Sequence, residues 1–172
     1  GAVVEEVDFP DPSLYQDEGA FGAESAAYHE ENVKQHPEQY SEAIRRRVLA
    51  SLETRGIDYA RARWRQAQFR LAAREVFESV DIVLTPTVLV TALTFAEAEQ
   101  APPALLARNT TPFNLLGVPT ISVPCGFDSR GLPVGLSLSA AWWQEGSLLR
   151  VAHAYQQATD WHKRAPQLVV SE

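Results

Sequence analysis

The tightest constraint on this chain is the run Thr111-Pro-Phe-Asn-Leu-Leu-Gly-Val-Pro-Thr-Ile-Ser-Val-Pro-Cys-Gly126. Proline suits the first helical position, so Thr111 and Pro112 open a short helix. Gly117 supplies the left-handed residue that ends it after about one and a half turns. Pro119 and Pro124 then fix the entry and exit of a buried strand, Thr120–Val123. Asn114 can bond backbone groups of the intervening turn. Any fold holding this run must therefore place a helix end, a sharp turn and a strand within sixteen residues.

The flanking sequence supplies further elements. Val3, Val4 and Val7 with Phe9-Pro10 read as a strand. Residues 16–35 are helix-compatible and Pro37 ends the pattern. Ser41 caps a helix expected to reach Arg55, with Ile44, Val48 and Leu52 on one face and Gly56 as its stop. A longer helix follows from about Tyr59 to Ser79. Its apolar stripe is expected to include Ala60, Trp64, Ala67 and Leu71, joined by Phe69, Ala73, Val76 and Phe77. Ile82-Val83-Leu84 reads as a buried strand closed by Thr85-Pro86-Thr87, and residues 88–103 as a long irregular connection. Val134–Leu138 is a further strand, and Asp128-Ser-Arg-Gly131 with Pro133 supplies a hairpin turn before it. The last helix spans roughly Glu145–Thr159, with Leu148, Val151, Ala152 and Tyr155 inward. Strands alternating with helices give the α/β class.

Composition excludes several roles. The net charge of −7 argues against a nucleic-acid partner, because phosphate binding needs a concentrated basic face. No segment approaches the roughly 20 apolar residues of a membrane span. The single cysteine, Cys125, rules out an internal disulfide and fits a reducing cytoplasm. The chain contains no methionine, and its first strand has no element before it. It is therefore expected to be a portion of a longer polypeptide: one partial domain over residues 1–172, with a strand and helices in 1–80 and the motif-bearing strands and helices in 81–172.

Read together, four segments resemble the amidase-signature family. They are Asp81 to Thr87, Pro112 to Pro119, Ser122 to Gly126, and Gly131 to Gly135. The tail, with Glu145, Leu148-Leu149-Arg150, His162 and Pro166, is similar to the family's last helix, and Gly1 to Pro10 to one of its strands. Ser137 stands where the family usually has glutamine, and Ser139-Ala140 replaces its usual apolar-glycine step. The resemblance implies the carboxy-terminal part of an α/β fold in which helices flank a mixed β-sheet. Asn114, Gly117, Pro119, Gly126 and Gly135 are its structural motif positions.

The same resemblance implies amide hydrolysis by a Ser–cis-Ser–Lys triad, with an acyl-serine intermediate and no cofactor or metal. No catalytic residue can be placed in this chain. It has no Gly-Gly and no Ser-Ser dipeptide, and its lysines, Lys34 and Lys163, stand in polar contexts. The nucleophile is expected upstream of Gly1. What this portion can supply is pocket wall, and the family pattern places Ala107 toward the substrate, with Thr111 and Ala104 on the same helical face. Arg47, last base of Arg45-Arg46-Arg47-Val48, matches a carboxylate-reading position of the family's glutamine-using, tRNA-dependent branch, because a guanidinium meets a carboxylate in two bonds. The commoner reading of that triplet is a solvated helix face with Glu42 paired to Arg46. The glutamine-using branch also has an acidic residue where this chain has Ala107. A general amidase acting on a small carboxamide with an uncharged end is therefore expected ahead of a subunit of a glutamine-dependent tRNA amidotransferase. The third reading is a non-catalytic binding module derived from the same fold.

The remaining candidates have simpler explanations. Cys125 between Pro124 and Gly126 reads as a small packed thiol before a nucleophile served by His153 or His162. His29 and His36 lack the close spacing of metal ligands. Trp142-Trp143 reads as core or inter-domain packing. Apolar surface near Val3 and Ile121, left without a partner, is expected to favour self-association into a homo-oligomer.

Overall fold

The computed structural model describes residues 1–12, 18–102 and 104–165. They group into two compact units, Gly1–Ala73 and Arg74–Glu172. In the first, helix α1 (Glu18–Gln35) packs on α2 (Glu42–Ser51) through Ala26, Val33 and Val48, with Tyr40 and Leu52 at the margin. The Tyr40 hydroxyl fastens the linker between them: it accepts from Asn32 Nδ2 at 2.8 Å and lies 3.0 Å from His29 Nδ1. The expected start of the first helix at Gln16 lies outside the described residues.

Ser41 caps α2 as its sequence suggests, its Oγ accepting from the Ile44 amide at 3.4 Å. The helix stops at Ser51 instead of reaching Arg55, and Gly56 begins the next helix instead of stopping this one. The reason is local: the Arg55 carbonyl accepts from the Asp58 and Tyr59 amides, and its guanidinium pairs with Asp58 at 2.6 Å, so a new helix start forms there. Glu42 and Arg46 form no ion pair among the described residues, although their spacing allows it.

Helix α3 (Gly56–Ser79) buries only part of the expected stripe. Ala62, Phe69, Ala73 and Val76 are buried, Phe69 and Ala73 completely, whereas Trp64 is 66% and Leu71 65% exposed and Ala60 and Ala67 are open as well. The helix has two apolar stripes on opposite sides. Periodicity tells which residues share a side but not which side faces the core. The strand expected over Val3–Pro10 is also absent. Val3 is 91% exposed, and no described strand offers its backbone the ladder that an extended segment needs. Phe9 nevertheless meets Phe69 edge to face at 6.3 Å.

In the second unit, strands β1 (Ile82–Pro86), β2 (Thr120–Phe127) and β3 (Pro133–Ala140) form one sheet in the order β1-β3-β2. The fold class is the α/β one expected, but these strands pair only antiparallel, where the expectation is a mixed sheet. Because β3 sits in the centre, β1 and β2 run the same way without ever being neighbours. A bulge at Cys125 lets β2 pass Pro124 and continue to Phe127.

The sheet has two chemically distinct faces. Val123, Leu138 and Ala140, with Ile82, Ile121 and Leu136, pack under Leu148, Ala152 and Tyr155 of helix α7 (Glu145–Ala158). Burying Leu148 alone contributes about 2 kcal/mol. Val151, expected inward, is 40% exposed, because the seam follows positions 148, 152 and 155 and passes it by. On the opposite face, register aligns Thr85, Ser137 and Ser122 in one row and Val83, Ser139 and Thr120 in the next. Ser137 and Ser139 are buried, and Thr120 Oγ1 lies 2.9 Å from Ser139 Oγ. No helix among the described residues is long and apolar enough to cross a membrane.

Candidate functional site

The hydroxyl-bearing face continues beyond the end of β1 and meets the turn that carries the candidate pocket residues. The Thr87 amide donates to the Gly135 carbonyl at 2.9 Å, prolonging the ladder, and Thr87 Oγ1 reaches Ser122 Oγ at 2.6 Å across the central strand. Only glycine permits this bridge. A Cβ on Gly135 would lie 2.7 Å from Thr87 Oγ1 and 2.8 Å from Ser122 Oγ. One strand position away, Thr85 Oγ1 is buried without a hydrogen-bond partner.

Asn109 ties the pocket segment to this strand end, its Nδ2 donating to the Pro86 carbonyl at 2.8 Å. Helix α5 (Ala104–Ala107) and helix α6 (Thr111–Leu116) flank Asn109. Ala104, Ala107 and Thr111 therefore do not share one helical face, because the chain turns between them. Pro112 explains the break: a continuous helix would set its ring against the Arg108 carbonyl and leave that carbonyl without an amide. Ala107 and Thr111 are half-buried on either side of the turn, and the Ala107 carbonyl accepts from the Thr110 amide at 3.1 Å. Ala104 is the first residue of α5; its side chain lies outside what is described.

Helix α6 is firmly seated. Pro112, Phe113 and Leu116 are buried, and Gly117 takes the left-handed conformation (φ 69°, ψ 36°) with its amide on the Phe113 carbonyl. Trp142 Nε1 donates to the Leu116 carbonyl at 3.0 Å, while its ring meets Phe77 edge to face. Pro119 passes the chain into β2 and its carbonyl accepts from the Ala140 amide at 3.1 Å. Asn114 is exposed, and its side chain has no hydrogen-bond partner among the described residues; the backbone cap at Gly117 performs the task expected of it. Trp143 is 88% exposed at φ 66°, so only the first tryptophan of the pair packs as expected.

The connection expected to be irregular is fastened at two points. Thr94 and Glu97 form a capping box at the start of α4 (Phe95–Gln100). Thr91 Oγ1 donates to Asp128 Oδ2 at 2.6 Å, and Asp128 Oδ1 accepts from the Arg130 and Leu132 amides. These bonds, Thr91 first, hold the Asp128 carboxyl down at about 2.

Ala107, Asn109, Thr111, Thr85, Thr87 and Ser122 offer hydroxyls, an amide and apolar surface, and none of them titrates near neutral pH. Cys125 is half-buried, donates to the Val134 carbonyl at 3.5 Å and lines an apolar hollow of about 310 Å³ with Leu84, Pro86, Val134 and Leu136. His36 lies 3.6 Å from Glu38, His29 is engaged by Tyr40, and Lys34 and Lys163 form exposed pairs with Glu30 and Asp160. Arg47 stands exposed on α2 in the first unit, apart in the chain from Ala107 and Thr111 of the second, and forms no ion pair among the described residues. Thr87, Asn109 and Ser122 escaped the sequence reading. No sequence signal marks them, because each bonds a partner distant in the chain.

The family model for amidases matches residues 15–149. The chain belongs to the amidase family. Among curated relatives, a glutamyl-tRNA(Gln) amidotransferase subunit from Microcystis aeruginosa is 39% identical over 141 residues, covering 78% of this chain and 29% of that protein. The protein of the same name from a Synechococcus strain is 42% identical over 135 residues, 74% of this chain and 28% of the relative. The family member thus spans under a third of the length of these relatives. Of solved structures, a crystal structure of an amidase superposes with a TM-score of 0.79 at 29% identity, covering 91% of this chain and 38% of that one. The substrate complex of 6-aminohexanoate cyclic dimer hydrolase, at 24% identity and a TM-score of 0.75, shares the fold.

Proposed function

We propose that this chain is the carboxy-terminal part of an amidase that hydrolyses a small carboxamide, and that it forms one wall of the substrate pocket. The catalytic serines and lysine belong to a portion upstream of Gly1 with which residues 1–172 complete a single domain. The observation that carries this reading is the seating of Ala107 and Thr111 on a turn that Asn109 bonds to the end of β1. The uncharged Ala107 position suits an uncharged substrate end, and the Thr111 hydroxyl beside it can orient a carbonyl. In this reading Ala104 completes the wall, Arg47 is the position available to a substrate carboxylate, and no cofactor takes part. The protein works in the cytoplasm.

The second reading is one component of an amidotransferase, favoured by the name that the curated relatives above carry. It needs a counter-charge for the amino group of glutamine, and Ala107 supplies none. A non-catalytic module remains the third. Ammonia release by the parent polypeptide separates them. Turnover of neutral aliphatic or aryl amides above that of glutamine supports the amidase; glutamine preference supports the second reading; no turnover of any amide supports the third. Ala107→Asp in the parent should shift preference toward amides bearing an amino group. An unchanged substrate profile in that variant would remove Ala107 from the pocket.

A further inference from the structure

Residues 87–94 leave the end of β1 and are held from two sides. On one, Asn109 Nδ2 donates to the Pro86 carbonyl at 2.8 Å and brings the turn of Ala107 and Thr111 to the strand end. On the other, the β2–β3 hairpin grips the segment twice. Its first grip is the Thr87 amide on the Gly135 carbonyl at 2.9 Å, and its second is Thr91 Oγ1 donating to Asp128 Oδ2 at 2.6 Å. That second bond has the length of a charge-assisted one. Arg130 closes it, Nη2 donating to Thr91 Oγ1 at 2.7 Å and Nε to Asp128 Oδ2 at 3.2 Å. Asp128 Oδ1 accepts within the hairpin itself, from the Arg130 and Leu132 amides, so the turn does not need Thr91. Between the two grips lie Val88, Leu89 and Val90. The valines are half-buried, and Leu89 is 46% exposed. Three residues past Pro86, it lies within about 11 Å of the residue whose carbonyl Asn109 holds.

We propose that this segment forms a rim of the substrate pocket, that Leu89 on it receives the acyl group of the amide, and that Thr91 is a positioning residue held by Asp128 and Arg130. The inference rests on the proposed function and narrows its substrate class to carboxamides with an apolar acyl group. Register places the hairpin, the end of β1 and the Asn109 bond at one end of the sheet, so rim and pocket turn share that end. Backbone anchored on both sides of Leu89 is ordered before substrate arrives, and a preordered contact loses little freedom on binding. An apolar side chain that meets the unreacting part of a substrate binds ground and transition state alike. It therefore acts on KM and leaves kcat.

The test compares hexanamide with acetamide in the full-length parent. Leu89→Ala should cut the preference for hexanamide at least about tenfold in kcat/KM, since an apolar pocket discriminates on that scale per methylene. Thr91→Val, which removes the hydroxyl and keeps the shape, should raise KM for hexanamide at least about fivefold with kcat within about twofold. Thr91→Ser should restore the native KM, because it returns the donor. Native preference for acetamide, or unchanged KM in both Leu89→Ala and Thr91→Val, overturns the rim and leaves the functional reading standing. A Leu89 effect without a Thr91 effect overturns the positioning role, and a loss of kcat at native KM overturns the binding role of both. A parent that turns over no amide, or glutamine ahead of hexanamide, overturns this inference and the functional reading together. Should Thr91→Val fail to fold, Thr91→Ala cuts the same bond and gives the same comparison, with the same outcomes.

Discussion

Replacing Gly135 with alanine probes the point where Thr87, just past the end of β1, meets β2 across the central strand. The new Cβ would sit 2.7 Å from Thr87 Oγ1, 2.8 Å from Ser122 Oγ and 3.2 Å from Thr87 Cβ. Relieving that overlap means parting two hydroxyls now 2.6 Å apart. Overpacking of this kind costs about 1–3 kcal/mol, and the lost hydroxyl bond about 0.5–1 kcal/mol more. The reduced freedom of the unfolded chain returns about 0.4–1 kcal/mol, leaving a net loss of about 0.5–3.5 kcal/mol. Urea unfolding followed by circular dichroism gives the total, and amide exchange at Thr87, which bonds the Gly135 carbonyl, gives the local share. In a Thr87→Ala, Ser122→Ala background only the 3.2 Å neighbour remains, and the same substitution should cost under about 1 kcal/mol. A cost below about 0.5 kcal/mol in the native background, or an equal cost in both, would refute the hydroxyl bridge as the reason for glycine here.

Other perturbations reach the elements around it. Asp128, held at about 2, steadies the loop at Thr91 fully above the ordinary carboxylate value near 3.8 and loses that effect as pH falls toward 2. Exchange of the Arg130 and Leu132 amides should quicken over that window, and Asp128→Asn should flatten the dependence. Leu148→Ala, at 4% exposure beneath the sheet, should cost about 2–4 kcal/mol in urea unfolding. Ser41→Ala removes the side-chain cap of α2 and should cost about 0.5–1 kcal/mol, read as faster exchange at Ile44. Trp142→Phe removes the indole donor to the Leu116 carbonyl and should destabilise by about 1–2 kcal/mol in urea unfolding.

Local chemistry was the most legible part of the sequence. Gly117 ends α6, Ser41 caps α2, and the turn at Asp128–Gly131 closes the β2–β3 hairpin, each because a single residue supplies a backbone conformation or an acceptor nearby. Features that depend on distant partners were not legible. The Ala60–Leu71 part of the stripe of α3 faces outward while Phe69, Ala73 and Val76 face inward, and Val3–Pro10 has strand composition without a described strand to pair with. The break at Arg108–Thr110 could have been seen from Pro112, and the capping box Thr94–Glu97 from its own spacing. The Thr87–Ser122 bridge could not, since it depends on β3 lying between strands distant in sequence.

We propose that this part of an amidase builds the pocket wall and holds no catalytic machinery of its own. Ammonia release from simple aliphatic and aryl carboxamides by purified residues 1–172 tests it most directly. The rate should equal that of buffer alone, and the full-length parent should restore turnover under the same conditions. Enzymatic turnover by the 172-residue chain, abolished by one serine or cysteine substitution within it, would contradict the account.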